Sequence, residues 1–121
     1  LGLEAGEPRR AGRRFVTLPL TVAIPTDGLT LLPDGDGFVV RLELRVAAVS
    51  ARGETSDVPV VPLGFRLAEK PGPNQHIPYE TEIRLRRQEQ RLVVAVYDVL
   101  GSTLYSNVLE IGPDDLAPET R

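Results

Sequence analysis

The chain has 121 residues, with 17 acidic against 14 basic side chains for a net charge of −3, and no Cys. That length fits one domain, the missing thiols exclude a disulfide framework or thiolate metal site, and the interspersed charges argue against the strongly basic face a nucleic-acid binder needs. No apolar segment approaches the ~18 residues of a membrane span, and eleven Pro and eleven Gly set between short apolar runs favour an all-β domain.

Residues 1–14, LGLEAGEPRRAGRR, lack periodicity and carry Arg9, Arg10, Arg13 and Arg14, so they read as a linker or disordered N-terminal segment. Leu1 stands where an initiator Met would, and no signal-peptide pattern follows, so the chain is expected to be cut from a longer protein. Phe15 to Ile24 alternates, with Val16, Leu18, Leu20, Val22 and Ile24 facing one way. Pro19 inside this run implies an edge strand or an unpaired N–H. Pro25-Thr26-Asp27-Gly28 is a turn, Leu29 to Leu32 a short strand or link, and Pro33-Asp34-Gly35-Asp36-Gly37 the strongest turn signal in the chain.

Phe38 to Val49 is the longest strand by pattern. Phe38, Val40, Leu42, Leu44, Val46 and Ala48 point to a core, while Arg41, Glu43 and Arg45 point to water. Val58 to Leu67 contains Pro59 and Pro62, which puts it on an edge, where Pro also discourages pairing with other chains. His76 to Arg86 alternates again, with Ile77, Tyr79, Thr81, Ile83 and Leu85 inward and Glu80, Glu82, Arg84 and Arg86 outward. Gln90 to Ile111 reads as a hairpin. Leu92–Val96 is apolar on both faces, so it is expected in mid-sheet with little solvent on either side. Asp98 and Gly101 form the turn, Asp98 capping the N–H of Leu100 or Gly101, and Gly112-Pro113 ends the second strand. The domain therefore spans 15–112, and 113–121 reads as a disordered acidic C-terminal tail. Six to seven strands without a helical pattern must form two face-packed antiparallel sheets, a β-sandwich of immunoglobulin-like or fibronectin type III-like form.

The closing RLVVAVYD strand, the Gly/Ser turn and the last strand, together with FVVRLELRVAAVSARG, resemble the C-terminal β-sandwich of bacterial von Willebrand factor A-related secreted proteins. Leu92–Val96, Asp98 and Gly101 match that family's hairpin, and the resemblance covers most of residues 14–112. It implies an extracytoplasmic module beside a von Willebrand A-like domain. The metal-dependent adhesion site of that family is not implied here, because the chain has no DxSxS motif.

Catalytic candidates are sparse. His76 is the single His, in a loop beside Asn74-Gln75, and it reads as a surface residue without the partners a general base needs. No G-x-S-x-G elbow accompanies Ser50, Ser56, Ser102 or Ser106. Asp34 and Asp36 read as turn residues, although they could supply oxygen ligands to Ca²⁺. Tyr97 and Tyr105 flank the hairpin turn and could stack across it or present an aromatic patch. The expectation is a non-catalytic structural or protein-interaction domain without cofactor, nucleic-acid partner or membrane insertion, its binding surface drawn from Tyr97, Asp98, Tyr105, Asp34 and Asp36. The alternative is a carbohydrate-binding accessory domain that offers exposed tyrosines to a glycan. Homo-association by strand addition is disfavoured at the edges that carry Pro19, Pro59 and Pro62.

Overall fold

A computed structural model describes residues 1–112, residues 57–59 as backbone only; the C-terminal tail expected over 113–121 lies outside the described residues. Nine strands are present among them: β1 (Gly2–Ala5), β2 (Arg9–Arg10), β3 (Phe15–Pro25), β4 (Leu32–Asp34), β5 (Gly37–Ser50), β6 (Thr55–Leu67), β7 (His76–Arg86), β8 (Gln90–Asp98) and β9 (Thr103–Ile111). All described pairings are antiparallel, and the strands form two sheets that pack as an all-β sandwich. Sheet A has β3 between β7 and the pair β1/β2. Sheet B runs β6-β5-β8-β9, with short β4 pairing the start of β5.

Period-two alternation builds the core. Val16, Leu18, Leu20, Val22 and Ile24 of β3 face Val40, Leu42, Leu44, Val46 and Ala48 of β5 and Leu92, Val94 and Val96 of β8, all buried. A strand read at the right phase delivers every second side chain to this layer, so long clean alternation fixes both identity and facing.

Two expectations need correction, and one pair of alternatives is decided. The segment 1–14 is not simply a linker: β1 pairs β3 from Gly2↔Ala23 to Ala5↔Leu20, and β2 pairs it at Arg9↔Thr17 and Arg10↔Val16. Leu1 and Leu3 pack against the core, which gives this polar segment an apolar anchor. Of the two readings of Pro19, the unpaired N–H holds and the edge strand does not, since β3 has neighbours on both sides. The Pro19 carbonyl accepts the Gly6 N–H at 2.9 Å. The N and C=O of one antiparallel residue face the same side, so the missing N–H of Pro19 points to the break between β1 and β2, where no ladder bond is demanded of it. Finally, β8 is buried on one face only. Leu92, Val94, Val96 and Asp98 are inward and buried, while Val93, Ala95 and Tyr97 are half-buried on the outside because no third layer covers sheet B.

The edge assignment of the strand with Pro59 and Pro62 agrees with the structure: among the described residues β6 pairs only with β5. The sandwich is tied on its opposite side. There the Asn107 side chain donates to the Leu1 carbonyl at 2.8 Å and accepts the Val108 N–H at 2.8 Å, linking β9 to the N-terminus.

Candidate functional site

The β8–β9 turn is held by one buried carboxylate. Asp98 ends β8 on the core-facing side and is 0% exposed. Its Oδ1 accepts the N–H groups of Leu100 and Gly101, both at 3.2 Å, and its Oδ2 accepts the N–H of Thr30 at 2.8 Å. Three N–H donors replace the water that a carboxylate loses on burial. The Asp98 carbonyl accepts Ser102 N–H at 2.8 Å, closing the turn with Ser102 at φ 58°. Gly101 is required by space: a Cβ there would collide with Thr30 Oγ1 and lie 2.9 Å from Asp98 Oδ2.

A second tie runs beside it. Tyr105 Oη donates to the Asp27 carbonyl at 2.9 Å, across Gly28, whose φ of 86° and missing Cβ let the ring approach. Burial, then the negative charges of Asp98 and Asp27, push the Tyr105 hydroxyl above the ordinary tyrosine range. The connection from β3 to β4 is thus bound to the β8–β9 hairpin at Thr30 and at Asp27.

These ties present an apolar outer surface. Leu32 lies opposite Val39 on the outside of sheet B, and Val99 bonds through its N–H to the Arg41 carbonyl at 3.0 Å. A shallow depression of about 480 Å³ opens among Val39, Pro62, Gly64 and Val99, with Arg41 and Arg66 at its rim. Gly64 contributes open space where a side chain would stand. The same outer face also carries Val60, Leu104 and Val108, which are 52%, 59% and 46% exposed, with the Arg45–Glu43 ion pair of β5 between Val60 and the two β9 residues. Leu32, Val60, Val99, Leu100, Leu104 and Val108 make up the large exposed hydrophobics of the described residues, and every one belongs to sheet B or its turns. Sheet A instead shows Glu80, Glu82, Arg84 and Arg86 outward on β7.

The other sequence candidates fall as follows. Tyr97 and Tyr105 do not stack, because Tyr97 pairs with Leu104 on the outer face and Tyr105 with Val96 on the inner one. Tyr97 carries Arg45 over its ring at 5.4 Å, and its hydroxyl lies 3.4 Å from Ser102 Oγ. Tyr79 packs against the core. No shared aromatic platform results. The Asp34 carboxylate pairs with Arg66 at 2.7 Å, and its carbonyl accepts a second Arg66 N–H at 2.8 Å, while Asp36 sits exposed in the β4–β5 turn. His76 is exposed at the start of β7, opposite Pro25. Among the described residues no group of three or more His, Cys, Asp or Glu is arranged to hold a metal. Sequence reasoning missed Thr30, Asp27 and Arg66. Each meets its partner across the fold, and nothing in its own neighbourhood marks it.

No family model and no curated protein matches the chain. Among solved structures, one titled "X-ray structure of Northeast Structural Genomics Consortium target SoR45" is similar, with a TM-score of 0.45 and 18% identity over 92% of this chain and 82% of that one.

Proposed function

We propose that this chain is a non-catalytic β-sandwich module of a larger secreted bacterial protein, and that it docks the outer face of its five-stranded sheet against another domain or a protein partner. One observation carries this reading: among the described residues the large exposed hydrophobics are confined to sheet B and its turns, while the outer face of β7 in sheet A carries Glu80, Glu82, Arg84 and Arg86. Exposed apolar side chains gathered on one face and bordered by polar groups mark an interaction face. Arg41, Glu43 and Arg66 supply such a rim around Val99 and Pro62. The resemblance of the closing hairpin to von Willebrand factor A-related proteins supports an extracytoplasmic setting and an A-like domain as neighbour.

The test is site-specific photo-crosslinking in the longer protein. A photoreactive residue in place of Leu104 yields crosslinks to a protein partner or neighbouring domain, whereas the same residue in place of Thr21 on sheet A yields none. Equal or absent crosslinking from both positions contradicts the reading.

A further inference from the structure

We infer that the free edge of β7 is a self-association site, at which two copies of this chain pair their β7 strands antiparallel about Ile83. The inference stands apart from the sheet-B face proposed above and concerns the other sheet.

Three observations converge on it. The first is the open edge. β7 pairs with β3 and, among the described residues, with no other strand. Arg87 N–H bonds the Arg14 carbonyl and Thr26 N–H bonds the Gln75 carbonyl, so odd-numbered backbone groups of β7 face β3. The N–H and C=O of Glu80, Glu82 and Arg84, and the N–H of Arg86, therefore face outward as an unpaired ladder. The Arg86 carbonyl is already taken by Gln88 N–H and Gln90 Nε2, at 2.9 and 2.7 Å.

The second observation is the charge pattern. The segment Glu80-Thr81-Glu82-Ile83-Arg84-Leu85-Arg86 is self-complementary when read antiparallel. Centred on Ile83, it sets Glu82 opposite the other copy's Arg84, and Glu80 opposite the other copy's Arg86. All four charged residues share the outer face of the sheet and are exposed. Opposite charges directly across an antiparallel pair are favourable, and like charges there are not.

The third is register. Sliding by an odd number of residues would place outward backbone groups against groups already bonded to β3. Sliding by two places either Glu82 opposite Glu82 or Arg84 opposite Arg84. Only the register centred on Ile83 satisfies both hydrogen bonding and charge. It also leaves Pro78, which lacks a donor, outside the paired stretch. Pro19 faces its own gap on the other side of β3, so it does not obstruct β7. The two side chains nearest the axis are already held on the outer surface: Glu82 lies 2.9 Å from Arg9, and the Arg84 guanidinium lies 4.1 Å from the centre of the Phe15 ring. One carboxylate can accept a second Arg, and a stacked guanidinium keeps its N–H edge for a carboxylate. A two-fold contact of this kind closes after two copies and makes one continuous sheet of both.

Sedimentation equilibrium at low salt tests it. Wild type is expected to show a concentration-dependent dimer. Arg84→Glu and Glu82→Arg each place like charges at the central pair and should weaken association by at least about tenfold. Mixed in equal amounts, these two variants regain complementarity and should form a heterodimer that neither forms alone. The double exchange Glu82→Arg with Arg84→Glu should also restore the dimer, and it serves if a single variant folds poorly. A wild-type monomer at all concentrations overturns the inference. So does a dimer indifferent to Arg84→Glu, or a mixture that fails to associate.

Discussion

The carboxylate of Asp98 accepts the backbone N–H of Thr30 at 2.8 Å across a separation of 68 residues. This bond joins the β8–β9 turn of sheet B to the connection that leaves sheet A after β3. It also positions the turn that carries Val99 and Leu100.

Removing the carboxylate leaves three N–H groups facing a buried void. Asp98→Ala is expected to cost about 3 kcal/mol or more, and Asp98→Asn about 1–2 kcal/mol, because Asn keeps one oxygen but turns an N–H₂ toward a donor. Urea unfolding midpoints check both. Equal midpoints for Asp98→Ala and wild type would refute the role of the carboxylate.

Gly101→Ala pushes a methyl into Thr30 Oγ1, at an expected cost of about 1–3 kcal/mol. Thr30→Ala removes the colliding hydroxyl while keeping the backbone N–H. The cost of Gly101→Ala should therefore shrink by about 1 kcal/mol in the Thr30→Ala background, as read from a double-mutant cycle. Additive effects would mean that the turn relaxes away from Thr30.

Tyr105 gives the domain an alkaline limit. Its hydroxyl is held protonated by burial and by the negative charges of Asp98 and Asp27, so its folded-state value lies above the ordinary one near 10. A group raised on folding stabilises fully below its unfolded value, and that contribution is lost as pH rises through the folded value. Tyr105→Phe, which loses the bond to Asp27, should be less stable than wild type at neutral pH by about 1 kcal/mol. The gap should narrow above about pH 10. A gap that widens there would show the sign to be wrong.

Deleting residues 1–10 separates a linker from a structural segment. It removes β1 and β2 from β3 and uncovers apolar surface beneath Leu1 and Leu3. A loss of about 2–3 kcal/mol is expected in chemical denaturation, where a mere linker would give no change.

The sequence made the long strands legible for a physical reason. In Phe15–Ile24 and in Val40–Ala48 the apolar residues recur at every second position, and the same residues form the buried layer. The N-terminal strands were not legible, because Gly, Pro and paired Arg give a short segment no alternation, and it borrows its order from β3. Pro19 was legible in part: a proline marks a missing donor, and only the fold shows that β3 is an interior strand on which that donor would have faced a gap. At the turn, Asp98 and Gly101 could be read locally because their bonds span two or three residues. The bond to Thr30 and the Tyr105 contact to Asp27 depend on the packing of the two sheets, and short-range pattern carries no trace of them. The opposite facing of Tyr97 and Tyr105 follows from register across the hairpin, which turn length alone did not fix.

The most direct test of the interaction-face reading is hydroxyl-radical footprinting of side chains, comparing the isolated domain with the proposed longer protein. The account predicts that Leu32, Leu104 and Val108 lose reactivity in the longer protein while Phe15 and Pro78 on sheet A keep theirs. Undiminished oxidation of Leu104 and Val108 in that setting would contradict it.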